Sequence, residues 1–385
     1  MRKTLARLLS SGGKFIGLGL LLVLALAALW QLTDRVFAGN KSALNPSQLR
    51  AIYAELNGDT TTLWTAPLDL SGQKEKLADI SHQTGYGIRG NLSPDGTKIG
   101  FTLLPPGSRD TASSASLWVV DVKSGEKKPL VDGVDLRTAP LFSLDGTKLL
   151  YRRTKETGTG GLTTELYSLD LATLQETRLV SDELALGLYP IDWAKDGEMI
   201  YYSRVSNQGT DVMAVAISAG MITNIGHVSD GIARDFRLSP DGQKILYTAR
   251  LPGGDYCVGI LHVKSKGKDV LIQGANDHYG PIWQPVVDAV TLSTEPVDPT
   301  GKGRLLNLAA IAKTPLSTIP APPGGFDVPT SWSPDGRYLA VRSFQGESSH
   351  RITSEKIVVI SPSNGGRHEL ETSGPAQFIG WLTRD

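Results

Sequence analysis

Cysteine occurs once in the 385 residues, as Cys257. One thiol excludes an intramolecular disulfide and a thiolate metal cluster, and within a strand-like run it reads as a small buried hydrophobe. An excess of charge is missing too: 39 basic residues balance 39 acidic ones, for a net charge of zero. No general attraction to nucleic acid or to an anionic surface follows from such a balance. Catalytic and metal motifs are absent. There is no G-x-S-x-G elbow and no H-E-x-x-H, and "SSGGK" at Ser10 to Lys14 lacks phosphate-loop spacing. His82, His227, His262, His278, His350 and His368 form no close pair. The loops "NGDTTT" from Asn57 and "GANDHYG" from Gly274 do not follow calcium-loop spacing. No cofactor and no metal site are expected.

Long hydrophobic runs are likewise scarce, with one exception. "FIGLGLLLVLALAALWQLT" carries no charge from Phe15 to Thr33 and follows Arg2, Lys3, Arg7 and Lys14. Nineteen residues at about 1.5 Å each just span a bilayer core, and the basic flank keeps the N-terminus cytoplasmic. The expected order is a basic N-terminus at 1–14, a transmembrane signal-anchor helix at 15–33, a linker at 34–48 and a folded domain at 49–385. The protein is then single-pass in the cytoplasmic membrane, with its domain outside the cytoplasm. The alternative is a periplasmic or secreted protein released by signal cleavage after "VFA" at Val36 to Ala38.

What is abundant is one short motif. "LSPDG" stands at Leu92 to Gly96 and again at Leu238 to Gly242, and "WSPDG" at Trp332 to Gly336. Serine, proline and aspartate suit a type I turn, and the glycine accepts a positive φ on re-entry to a strand. Looser copies keep Asp145 and Gly146, and Asp196 and Gly197. A carboxylate fixed at one turn position bonds its own backbone, so Asp95, Asp145, Asp196, Asp241 and Asp335 read as turn residues rather than a catalytic ring. Gly96, Gly146, Gly197, Gly242 and Gly336 complete those turns.

The residues before the turns are Leu92, Phe142, Trp193, Leu238, Trp283, Trp332 and Trp381, at intervals of 50, 51, 45, 45, 49 and 49. Each interval holds four strand-like runs, the size of a propeller blade. Three runs ahead of the first full unit ("AIYAEL", "TLWTAPL", "KEKLAD") lack a first strand, and "AQFIGWL" from Ala376 is a first strand with nothing after it. Together they make one shared blade. The sequence predicts an all-β, seven-bladed β-propeller of four-stranded blades, closed by a shared N-/C-terminal blade and preceded by one transmembrane helix. Six blades is the alternative, because the unit at Trp283 lacks Asp-Gly.

At these residues the chain resembles the TolB-like, WD-repeat-like β-propeller family, over about 47–385. Its relatives include periplasmic scaffold proteins and the propeller domains of prolyl-oligopeptidase-type peptidases. Without a nucleophile elbow, the resemblance implies a propeller with no hydrolase domain. It therefore points to a membrane-anchored, non-catalytic binding or scaffold module for a protein, peptide or cell-envelope partner.

First strands line a propeller's channel, so the segments entering them crowd one mouth. They bring Arg89, Arg137, Tyr189, Arg234, His278, Tyr279 and Asp327 there, a set suited to carboxylate-bearing or peptide ligands. Two alternatives remain. One is a lyase or hydrolase acting on an anionic ligand at this mouth, for which a carboxylate and a histidine must converge on the arginines; Asp277 and His278 beside Arg234 are the candidates. The other is a subunit of a membrane-associated oligomer.

Overall fold

The structure, a computed structural model, describes residues 48–68, 73–157, 161–294, 304–346 and 352–383, which belong to the compact unit Asn45–Asp385. Its regular elements form seven four-stranded antiparallel sheets, each the blade of a β-propeller. In blade one, Ala376–Thr383 is the innermost strand, followed outward by Leu49–Asn57, Thr60–Pro67 and Glu75–Ser81. The chain's two ends therefore share a blade, and sheet hydrogen bonds between them close the ring. The innermost strands of blades two to seven are Ile88–Leu92, Leu141–Phe142, Gly187–Trp193, Arg234–Leu238, His278–Trp283 and Gly325–Trp332.

The repeated turns close by one pattern. The Ser93 hydroxyl donates to Asp95 Oδ1 at 2.6 Å and accepts the Lys98 N–H at 2.9 Å. Asp95 Oδ1 also takes the Thr97 N–H at 3.0 Å, and Gly96 has φ of 73°. Ser143 and Asp145, Ser239 and Asp241, and Ser333 and Asp335 repeat the arrangement. The serine hydroxyl holds the Asp95 carboxyl below its ordinary range, against burial, and Ser143 does the same for Asp145. Blade six lacks the serine–aspartate pair and still has all four strands, keeping the backbone bond that the other turns share, here from the Gln284 N–H to the Ala289 carbonyl at 2.9 Å. Six blades is thereby excluded.

Each core cluster joins neighbouring blades. Leu150 and Leu166 of blade three pack with Trp193, Ile200 and Tyr202 of blade four. Leu246 and Val258 of blade five pack with Trp283 and Val290 of blade six. Such side chains each contribute about 1.5–3 kcal/mol when fully buried. The four anchor tryptophans also reach the preceding blade through their indole N–H. Trp193 donates to the Leu141 carbonyl at 3.2 Å, Trp283 to the Arg237 carbonyl at 3.0 Å, Trp332 to Thr291 Oγ1 at 3.1 Å and Trp381 to Ser331 Oγ at 3.1 Å.

One expectation is corrected. Among the described residues no helix is long and apolar enough to cross a membrane. The segments 1–14 and 15–33, and the linker up to residue 47, lie outside the described residues. The transmembrane helix before the propeller, the membrane contact through residues 15–33 and the single-pass placement in the cytoplasmic membrane are therefore not carried further. The described chain places its backbone donors and acceptors in sheet ladders instead.

Two outcomes test this architecture. Deleting residues 374–385 removes an inner strand and exposes the apolar edge of Leu49–Asn57, so the variant should aggregate or lose its cooperative melt; a parent-like melting curve would contradict closure. Asp241→Ala removes the carboxylate that ties Ser239 to Gln243 and should lower stability by about 0.5–2 kcal/mol in denaturant unfolding.

Candidate functional site

Inner strands of an ideal blade would alternate their side chains evenly, but five of these do not. Register skips fall between Pro190 and Asp192, Arg234 and Arg237, Tyr279 and Ile282, Pro329 and Ser331, and Phe378 and Gly380. A skip adds a residue to one strand and re-aims the side chains beside it. In blade six it falls on Gly280, at φ of 55°, where a Cβ would stand 2.6 Å from the Pro329 carbonyl. The matching position in blade five is Asp235, at φ of 58°. Aspartate tolerates the left-handed region, at a cost on the order of 1 kcal/mol.

Two grooves flank that aspartate. One, of about 360 Å³, lies over blades four and five and is lined by Tyr189, Ile232, Arg234, Asp235 and Arg237. The other, of about 390 Å³, runs over blades five to seven, where Arg234, Asp235 and Arg237 meet Tyr279, Phe326, Val328, Arg342 and Phe344. Arg234, Asp235 and Arg237 line both.

Arg234 is the hub. Its Nη1 lies 2.5 Å from Asp235 Oδ2, and its Nη2 lies 2.5 Å from Asp277 Oδ1 and 3.3 Å from the His278 carbonyl. Its guanidinium also stands 5.7 Å from the Tyr279 ring. The His278 N–H donates to Asp277 Oδ1 at 2.7 Å. The His278 side chain is buried, and among the described residues neither ring nitrogen has a hydrogen-bond partner. Burial lowers its pKa, with Asp277 opposing and Arg234 assisting, so the neutral ring is favoured.

The other expected residues fall in different places. Tyr189 lines the first groove, and the Arg152 guanidinium lies 4.4 Å from its ring. Arg137 is exposed, 3.8 Å from the buried Asp135, which also pairs with Arg152 at 3.3 Å. Arg89 is apart, in a hollow of about 200 Å³ with Tyr86 and Gln377 between blades one and two. Asp327 is not in a groove. Phe326 and Val328 line one, whereas Asp327 points to the other sheet face and takes both Nη atoms of Arg367 at 2.8 Å.

Several residues escape inspection of the entry segments. Arg152 and Arg342 are on second strands, Lys148–Glu156 and Leu339–Gly346. Asp235 and Arg237 stand in "IARDFRL", and the skip places both in the grooves beside Arg234. Asp192 borders the skip of blade four, which falls on Ile191. Burial raises its carboxyl pKa, while the Trp193 N–H, Lys195 and Arg237 draw it down. No three His, Cys, Asp or Glu side chains among the described residues are placed to hold a metal ion.

The family model for the TolB beta propeller domain matches residues 37–312, and the chain belongs to that family. No curated protein matches the sequence. Among solved structures it is similar to TolB from Acinetobacter baumannii, at 20% identity and a TM-score of 0.52, covering 76% of this chain and 68% of that one. It is also similar to an oligogalacturonate lyase from Vibrio parahaemolyticus, at 13% identity and a TM-score of 0.60, covering 85% and 87%. A Mycobacterium tuberculosis puromycin-hydrolyzing peptidase matches at 13% identity and a TM-score of 0.54, covering 86% of this chain and 55% of that one. At such identities the likeness shows the fold alone. Lyase and peptidase structures stand beside TolB, so the fold does not single out the membrane-anchored, non-catalytic scaffold expected from the sequence. That reading is withdrawn.

The lowered pKa of His278 has a measurable consequence. The ring stays neutral in the fold, so its contribution to stability is present above the unfolded value of about 6.5 and is lost as pH falls from there through the lowered value. His278→Asn should flatten part of that loss. Melting curves of both proteins between pH 7.5 and 5 check it, with equal pH slopes as the contrary result.

Proposed function

We propose that the mouth over blades four to seven is the site of a lyase or hydrolase acting on an anionic substrate. The observation that carries this reading is the convergence at Arg234 of Asp235, Asp277 and the chain segment of the neutral His278. A carboxylate, an arginine and a phenol at one groove supply what elimination and hydrolysis both need. Asp235 accepts a proton from the substrate or from an attacking water. Arg234 holds that carboxylate in place. Tyr279 presents a phenol to the leaving group, while Asp277 fixes Arg234 from behind. The presence of an oligogalacturonate lyase among the similar structures supports including acidic saccharides among the substrates tested.

The test is turnover of a panel of oligogalacturonides and carboxylate-bearing esters by the full chain. Elimination is followed by the absorbance of the unsaturated product and hydrolysis by acid release. Asp235→Asn should lower turnover by about 10²-fold, the scale of lost general acid–base catalysis, and Arg234→Gln should do likewise. Full activity in both variants, or no turnover of any member of the panel, would remove this reading.

A further inference from the structure

We infer that the groove over blades five to seven takes a monoanion with an apolar body, its one carboxylate received by Arg237 rather than by Arg234. The inference rests on the anionic-substrate reading above and assigns the receptor and the ligand class within it.

Three arginines line this groove, and their partners differ. Arg234 already sits between two carboxylates, each at 2.5 Å. With both partners charged, that cluster is net negative and repels a second anion. Arg342 is paired with Glu355 at 2.5 Å. Arg237 has no carboxylate at ion-pair distance among the described residues: its charge acts on the buried Asp192 from farther off, and its Nη1 donates to the neighbouring Phe236 carbonyl at 2.8 Å. A guanidinium carries five N–H donors, so most of its donor capacity remains for a ligand carboxylate. Its backbone is fixed, because the Arg237 carbonyl accepts the Trp283 indole N–H from the next blade at 3.0 Å. The side chain is exposed while its root is held.

The rest of the wall is apolar. Phe326 and Phe344 stack with centroids 4.9 Å apart, and Val328 and the exposed Ile352 extend the same surface. A ligand with its carboxylate on Arg237 lays a hydrocarbon or aryl body along this wall. A second anionic group on that body would meet Asp235, while the groove's other two arginines are already paired, Arg234 with Asp235 and Asp277 and Arg342 with Glu355. The charges thus select one carboxylate, and the wall rewards an apolar remainder. A volume of about 390 Å³ lies within the range of small-molecule sites.

Calorimetry on the full chain with three probes tests this: acetate, 4-phenylbutyrate and the dianion benzylsuccinate. Phenylbutyrate should bind at least about tenfold tighter than either of the others. Arg237→Gln should weaken phenylbutyrate about 10- to 100-fold with an unchanged melting temperature, the scale of a lost interface arginine. Arg237→Lys, which keeps the charge but loses the fork, should fall between. Arg250→Gln, an exposed arginine elsewhere on blade five, controls for general charge and should leave affinity unchanged. Tighter binding of benzylsuccinate, or intact affinity in Arg237→Gln, overturns the inference and leaves the anionic-substrate reading standing. If no probe binds the parent and the substrate panel is not turned over, both fall.

Discussion

The Trp332 indole leaves its own blade to donate to Thr291 in the one before, and Trp193, Trp283 and Trp381 make the same crossing. A single four-stranded sheet cannot bury its own faces, so each blade depends on its neighbours. The tryptophans join apolar burial to a directed bond at the inner strands, where the blades stand closest. Trp381 carries the crossing into the shared blade, whose innermost strand comes from the far end of the chain. Closure therefore turns a series of repeats into one body.

That constraint also shapes the mouth. Inner strands locked by their anchors can still accommodate an extra residue just before the anchor, and five of them do. At Gly280 the close approach of the Pro329 carbonyl leaves no room for a side chain. At Asp235 the chain keeps an acid in the same left-handed conformation and bonds it to Arg234. Local backbone strain and a concentrated set of charges thus coincide between two grooves, as at sites where the surrounding structure holds an unfavourable conformation for use. Trp283 connects the two levels, since one indole closes the blade contact and fixes the root of Arg237.

Arginines alone do not define an anion site. Arg234 is the most connected arginine of the mouth, and its two carboxylates hold it as part of the frame. Arg237 is exposed and has no carboxylate at ion-pair distance among the described residues. The difference between them lies in neighbours drawn from blades five and six, and it separates a buttress from a receptor. The same reasoning removes Asp327, whose pairing with Arg367 is internal to blade seven.

The architecture was legible in the sequence because it rests on local chemistry. Ser-Pro-Asp-Gly closes its turn with its own atoms, as Ser93, Asp95 and Gly96 show, and seven anchors at near-regular intervals count the blades. The shared blade followed from a missing first strand at one end and a surplus one at the other. The apolar run at 15–33 carried a membrane reading that the described structure does not support, since composition alone does not establish what a segment does. Part of the mouth was legible as well: Arg234, Asp277 and Tyr279 could be named from the segments entering inner strands. Only the tertiary structure placed Asp327 on the opposite face, left Arg89 in a separate hollow, and brought Arg342 in from a second strand. It alone set the skips that turn Asp235 and Arg237 into the grooves. Side-chain direction in a strand depends on register, and register at the inner strands is set by contacts between blades distant in sequence.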